Sequence, residues 1–298
     1  MANPEIAVIL NPAAGGGKAL KALARIHGVL KRIDRPYAIH VTKERGDAID
    51  AALRFADEGA ERIIAVGGDG TVHEVANGIH RSEASPALGM VPIGHGRDFA
   101  RTVGTEMNIE LAVLKAIDSE PRPIDLGLVT YADETRRAFI NIAGLGFDAI
   151  VAQRAQSSRL PGANLPYLAC ALSTLVGFKN IDIRVESGEE TIETRAVFVQ
   201  IANAEYMGGG FHFAPMAKID DGLLDVCVVG DFTKLELMRH IPKVYGGKHT
   251  TLTKFRHLRA TSVHISSTST ARLQLDGELL GETPVTFSVI PGGIRLAG

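Results

Sequence analysis

The chain has 298 residues, 45 % hydrophobic and 22 % charged, with a formal net charge of −2. That balance suits a globular protein long enough for two domains, and it excludes the basic surplus of a nucleic-acid-binding protein. The two cysteines, Cys170 and Cys227, are too few for a disulfide framework and have no metal-site spacing, so both read as reduced core residues of a cytoplasmic protein. The N-terminus lacks the basic flank and long apolar core of a signal peptide. Residues 6–10, IAVIL, read instead as a first buried strand. A helix is expected over 18–33, with Leu23, Ile26, Leu30 and Ile33 on one face. YAIHVT (37–42) predicts a strand, 47–58 a helix, RIIAV (62–66) a strand and 72–79 a helix. ALGMVPI (87–93) predicts a strand, and 98–116 reads as mostly helical. Strands alternating with helices point to a parallel sheet with helices on both faces.

After residue 126 the pattern changes. IDIRVES, TRAVFVQIAN, LLDVCVVG, TSVHISS, ARLQLDG and VTFSVI read as period-two strands separated by turns, with helices near 160–178 and 233–245. The expected organisation is an α/β domain over 1–127 followed by a β-rich domain over 128–286. No Pro- or Ser-rich linker separates them, so a shared tight cleft is expected. The most apolar stretch, residues 165–178, is shorter than the roughly 20 residues of a bilayer span and contains Pro, Ser and Thr. It reads as a buried helix or as a wall for a lipid-like ligand. Residues 237–275 contain no acidic residue but carry Arg239, Lys243, Lys248, Lys254, Arg256 and Arg259. Such a cluster is either a solvated face or a peripheral contact with an anionic membrane surface.

Three glycine-rich stretches follow predicted strands: NPAAGGGK (11–18), GGDGTVHEV (67–75) and PIGHGRDFAR (92–101). In a parallel sheet, ligands sit at the carboxyl ends of strands, so the three loops make a cradle on one edge. Glycines let backbone N–H groups approach a phosphate, and a helix N-terminus favours an anion. Asp69 among those donors would repel phosphate unless Mg²⁺ bridges them or the carboxylate acts on a substrate hydroxyl. The alternative is a helix cap. The helix after Asp69 is expected to bury Val72, Val75, Ala76 and Ile79 and to carry His73, Glu74 and Asn77 on its other face. A Walker loop is excluded because Ala19 stands where Ser or Thr is needed and Pro12 where the first glycine is needed. The dinucleotide pattern fails at His73.

These stretches, with TKERGDA (42–48), IDLG (124–127), NIAGLGFDA (141–149), GGGFHFAPMAKIDDGLLDV (208–226) and LDGE (275–278), resemble in order and spacing the bacterial diacylglycerol kinases and the related sphingosine and ceramide kinases. GGDGT alone is less specific, since NAD kinases and phosphofructokinases carry a similar loop. The resemblance implies an NAD kinase/diacylglycerol kinase-like fold: an α/β nucleotide-binding domain, a β-rich, sandwich-like second domain, a return of the last residues, 287–298, to the first, and an active site between the domains. It implies an ATP-dependent kinase acting on a lipid hydroxyl. Asn11, Pro12, Ala13, Ala14, Gly15, Thr42, Gly67, Gly68, Asp69, Gly70, Thr71, Val72, His73 and His95 would bind ATP. Asp276 and Glu278 would sit at the reacting centre, with Glu278 or Asp69 as general base. Asp221, with the carbonyls of Lys218 and Leu223, would hold Mg²⁺. Taken without the resemblance, DGE and DDG are ordinary turns.

The sequence departs from the family where His95 and Arg97 stand in place of Thr and Asn. His95 can carry charge, and Arg97 can clamp an oxyanion in a forked geometry. Three readings follow: a lipid kinase with a diacylglycerol-like or sphingoid acceptor, a kinase of a soluble small molecule, and a non-catalytic nucleotide or lipid sensor. The first carries a lipid partner, no nucleic acid, and a cytoplasmic location that extends to the inner membrane face. A homodimer is left open.

Overall fold

Runs of apolar residues that are buried on both sides build the first sheet of the computed structural model, which describes residues 3–94, 96–156, 164–188 and 190–298. The chain divides into two units, Met1–Asp125 with Gly292–Gly298, and Leu126–Pro291.

The first unit alternates strand and helix: β1 (Ile6–Leu10), α1 (Ala14–Leu30), β2 (Tyr37–Val41), α2 (Asp47–Asp57), β3 (Arg62–Gly67), α3 (Asp69–Arg81), β4 (Ala87–Pro92), α4 (Asp98–Val103) and α5 (Ile109–Asp118). The chain leaves this unit along β5 (Arg122–Tyr131). The strands pair in parallel in the order β2-β1-β3-β4. The C-terminal residues Arg295–Ala297 add a further parallel strand beside β4. Every residue of β1 is buried, as expected of a parallel strand covered on both faces. On one face, α1 and α5 pack Ile26, Leu30 and Val113 against Val8, Leu10 and Val66. Within α1, Gly15, Gly16 and Gly17 have φ of 61°, 66° and 87°, so right-handed helix begins only at Lys18. The mostly helical stretch expected over 98–116 is two helices, because Gly104 ends α4 at φ 70° and the Asn108 side chain caps α5 through Leu111 N–H.

The second unit contains β6 (Arg136–Phe139), β7 (Ile142–Gly146), α6 (Phe147–Gln156), α7 (Asn164–Gly177), β8 (Ile181–Ser187), β9 (Glu190–Ala196), β10 (Phe198–Ala202), β11 (Tyr206–Met207), β12 (Phe211–His212), β13 (Leu224–Val229), α8 (Lys234–Tyr245), a 3₁₀ turn at Lys248–Thr251, β14 (Phe255–Ala260), β15 (Ser262–Ser267), β16 (Arg272–Leu275), β17 (Glu278–Glu282) and β18 (Val285–Ala297). One sheet has the antiparallel order β14-β13-β10-β7-β16-β17. In the other, β15 lies between β18 and β8, with β9 beside β8 and a β5–β6 hairpin. Alternate side chains of both sheets, among them Phe139, Leu145, Val226, Leu273 and Phe287, fill one core, the arrangement of a β-sandwich.

Strand β13 of the six-stranded sheet is not half-polar as period-two patterning predicts. All six residues of β13 are buried, because a second cluster, including Phe213, Cys227, Val229 and Phe232, covers its other face. TRAVFVQIAN is two strands broken at buried Val197, whose carbonyl accepts from Phe147 N–H. Burial raises the Cys227 thiol, and Cys170 on α7 is half-buried; neither is in a disulfide. No helix among the described residues is long and apolar enough to cross a membrane.

Candidate active site

The three glycine loops of the first unit are tied together by their own backbones. Asn11 N–H donates to the Val66 carbonyl at the end of β3, and Ile93 N–H donates to that of Gly67. The Asn11 amide donates to Thr71 Oγ1 at 3.3 Å and accepts from Ala13 N–H at 3.0 Å. Thr42 is buried and donates its N–H to the Leu10 carbonyl. Part of the glycine content answers to the fold itself. A Cβ on Gly67 would meet Thr71 Oγ1 at 2.3 Å, and one on Gly94 would meet the Gly68 Cα at 2.8 Å. A Cβ on Gly16, Gly17 or Gly70 would meet nothing within 4 Å. These are the positions where the loop edge is bare and a ligand can reach the backbone.

Asp69 does not cap α3; the N-cap is Gly68, with no side-chain cap bond. Its Oδ1 accepts from Phe99 N–H at 3.1 Å, which binds the second glycine loop to the start of α4 after the third. The polar face expected on α3 is not a solvent face. His73 and Asn77 are 3 % and 4 % exposed, and the Asn77 amide donates to the His73 carbonyl at 3.0 Å. The Glu74 carboxylate accepts from Gly46 and Ala48 N–H at 3.1 and 3.3 Å. It thus serves the N-terminus of α2, where orphan amides favour a negative charge. The sequence pattern did not mark that role, because the partner lies 28 and 26 residues away. His95 lies outside the described residues. Arg97 adopts φ 54° at the start of α4 and sets Nη1 3.7 Å from the Met107 sulfur.

In the second unit, Asp276 and Gly277 join β16 to β17 with φ of 48° and 88°. Two consecutive positive φ angles are those of the two-residue hairpin turn for which Asp-Gly is favoured. The Asp276 carboxylate accepts three backbone N–H bonds, from Ile140, Asn141 and Ile142, each 2.9 Å. Gly277 N–H donates to Gln274 Oε1 at 2.7 Å, and the Gln274 amide donates to buried Asp148 at 2.8 Å. A Cβ on Gly144 would intrude on both groups, 2.4 Å from Asp148 Oδ2 and 2.8 Å from Gln274 Nε2. The turn is therefore fixed from two directions, and half-buried Glu278 is the first residue of the strand that leaves it. Asp276 holds the turn, and Glu278 is what the turn presents.

Asp221 is arranged differently from a metal ligand. Its Oδ1 accepts from Leu223 N–H at 3.2 Å, and its Oδ2 pairs with the Arg259 guanidinium. Arg259 also approaches buried Asp225, whose Oδ1 is 2.6 Å from His257 Nε2. Among the described residues no group of three His, Cys, Asp or Glu could hold a metal ion. A Mg²⁺ ion needs oxygen donors and near-octahedral space. Both oxygens of this carboxylate are engaged, one of them by a cation, so Asp221 would have to release Arg259 before that oxygen could serve Mg²⁺.

Behind the six-stranded sheet lies an apolar cavity of about 140 Å³. Leu168 and Leu175 of α7, Leu237 and Ile241 of α8, Phe198 of the sheet and Phe213 just after β12 line it. Asp148 reaches this lining as well, and through Gln274 it is the link to the Glu278 turn. At the other side His249 donates from Nε2 to the Phe213 carbonyl, and burial lowers its pKa to about 4. That histidine is neutral at pH 7.

Two family models divide the chain: "Diacylglycerol kinase catalytic domain" over residues 5–129, and "YegS C-terminal NAD kinase beta sandwich-like domain" over residues 141–298. The chain belongs to the diacylglycerol kinase family. It is 28 % identical over 297 residues to a diacylglycerol kinase of Mycobacterium tuberculosis, covering 98 % of this chain and 94 % of that one. It is 31 % identical over 299 residues to a Chromohalobacter salexigens protein named "Probable lipid kinase YegS-like", covering 97 % and 92 %. A crystal structure of a diacylglycerol kinase from Bacillus anthracis superposes with a TM-score of 0.77 at 27 % identity, covering 99 % of this chain and 96 % of that one. The protein is a lipid kinase, a phosphotransferase with an alcohol acceptor, and its two units have the α/β and β-sandwich folds expected.

Within this kinase the expected nucleotide residues Asn11, Gly67, Asp69 and Thr71 meet at one sheet edge. The roles of Asp148, Gln274, Glu74 and Arg259 were not legible beforehand. Asp148, Gln274 and Glu74 fell inside quoted stretches, but their partners lie far along the chain, with Gln274 126 residues from Asp148.

Proposed function

We propose that this kinase transfers the γ-phosphoryl group of ATP to the hydroxyl of a diacylglycerol-like or sphingoid lipid. The observation that carries the reading is the Asp148–Gln274–Gly277 relay, which joins an apolar cavity to the turn presenting Glu278. An acyl chain in the cavity replaces water there, worth about 0.8 kcal/mol per buried CH₂ group, and its head group is then directed toward that carboxylate. Glu278 is the base that accepts the hydroxyl proton as the oxygen attacks phosphorus. The loops at Asn11–Gly15, Gly67–His73 and Gly94 hold the triphosphate by backbone N–H groups. Phosphoryl transfer depends chiefly on such positioning and on charge neutralisation. Asp69, on the glycine edge, orients the bound triphosphate and its counter-ion. Mg²⁺ enters with ATP as part of the substrate and supplies neutralising charge. A lipid acceptor resides in a bilayer, so the enzyme works as a peripheral protein on the cytoplasmic face.

A kinase of a soluble alcohol has less support, because an apolar cavity gives such a molecule no hydrogen-bond partners. The test is transfer from labelled ATP with Mg²⁺ to a bacterial lipid extract in mixed micelles, with products identified by mass. A new phosphorylated lipid is expected. Transfer to soluble alcohols alone would overturn the reading, and tight ATP binding with no transfer to any acceptor would favour a sensor.

A further inference from the structure

We propose that the outer face of α8 docks this kinase on an anionic bilayer, beside the cavity whose wall the same helix forms. The docking stands on the helix itself; only the use made of it rests on the lipid-acceptor reading. Helix α8 begins with a capping box, in which Thr233 and Glu236 exchange hydrogen bonds. No residue of the helix is fully buried. Its inner side chains, Leu237, His240, Ile241 and Val244, line the apolar cavity. Its outer side chains are of two kinds. Leu235, Met238 and Tyr245 are 73 %, 46 % and 39 % exposed. Lys234, Arg239 and Lys243 are exposed among them.

The helix has one acid, Glu236, and the cap and Lys254 hold it at 2.7–2.9 Å. The outer face is therefore cationic as well as apolar, and no acidic residue follows until after residue 275. On the neighbouring α7, Leu172 adds a 42 % exposed apolar side chain. A solvated helix gains nothing from a leucine exposed to this degree. A helix lying in a headgroup layer does, because leucine and methionine enter the acyl boundary while lysine and arginine meet lipid phosphates. The charge sign selects an anionic lipid surface.

The experiment is sedimentation of the kinase with vesicles of phosphatidylcholine alone or mixed with phosphatidylglycerol. The wild type sediments with the mixed vesicles and stays in solution with the neutral ones. Arg239→Ala with Lys243→Ala lowers partition about 25-fold, at about fivefold per cation. Leu235→Ser with Met238→Ser lowers it as well, and neither pair alters the melting temperature, since these side chains are exposed. Absence of the wild type from the anionic pellet, or variants that sediment like the wild type, would overturn the proposal. So would a wild-type dimer in light scattering that Leu235→Ser with Met238→Ser dissociates while leaving vesicle partition intact; that result assigns the face to a second copy. Phosphorylation of lipid in detergent micelles is measured in parallel and is unchanged in all variants. A wild type that sediments but phosphorylates no micellar lipid removes the acceptor reading and leaves the docking in place.

Discussion

Asp276 and Glu278 stand two residues apart and carry the same charge, yet their surroundings give them different work. The carboxylate of Asp276 is occupied by the amides of Ile140, Asn141 and Ile142. Asp276→Ala leaves those three donors without that acceptor, at about 1–3 kcal/mol for each that stays buried and unsatisfied. A drop in melting temperature is expected together with lower activity. Glu278→Gln keeps shape and volume, so the melting temperature stays put while kcat falls about 10²- to 10⁴-fold, the usual worth of a general base. Equal melting temperatures for the two variants would contradict the division of roles. Gly94→Ala is a separate case. Its Cβ would lie 2.8 Å from a backbone carbon, so the third loop must move away from the second. ATP titration should show weakened binding with the second unit's melting unchanged. The sequence made GGDGT legible as a ligand-facing loop. It did not make legible that Gly67 and Gly94 are required by Thr71 and Gly68, because those contacts are closed by folding alone.

At the scale of elements, β1, β3 and β4 were readable because burial on both faces leaves continuous apolar runs. β7 was not. Its sequence, IAGLG, has the glycine content of a loop, and it is a strand because Gly144 must leave room for Asp148 and Gln274. The covering of β13 was likewise hidden, since a buried second face depends on aromatics from distant segments. The turn that carries His249 bears a titration consequence. The unfolded histidine protonates near its ordinary value of 6.5, the buried one only at about 4. Between those values the unfolded chain holds the extra proton, so stability rises with pH there. This contribution is complete above about pH 6.5 and is lost as pH falls through 4, a swing of about 3 kcal/mol for the full shift. Melting temperatures of the wild type should fall over that window, and His249→Gln should flatten the curve. An unchanged slope in the variant would mean that another group governs it.

For the whole molecule, the chain's end is part of its beginning. Residues 295–297 pair with β4, and Ile294 and Leu296 are buried in the first unit. Burial of those two side chains is worth about 3–6 kcal/mol. Deleting residues 292–298 should therefore speed hydrogen exchange at residues 87–89 and weaken ATP binding, although the deletion lies far along the sequence from every glycine loop. Exchange at 87–89 as slow as in the full chain would show that the return adds no stability. The resemblance implies a return over 287–298; composition and periodicity do not, because nothing local in GGIRLAG says which sheet it will join.

The Asp276–Gly277 turn also bears on how the enzyme ages. In a flexible chain, an aspartate followed by glycine is where the backbone nitrogen most readily attacks the neighbouring carboxyl, closing a cyclic imide that reopens with an extra methylene in the main chain. In the folded kinase that nitrogen is held by Gln274 and that carboxyl by the amides of Ile140, Asn141 and Ile142. Both reactants are thus kept from each other by the bonds that aim Glu278. The chemical lifetime of the site is tied to its fold, and each excursion to the unfolded state exposes the turn to a covalent lesion that refolding does not repair.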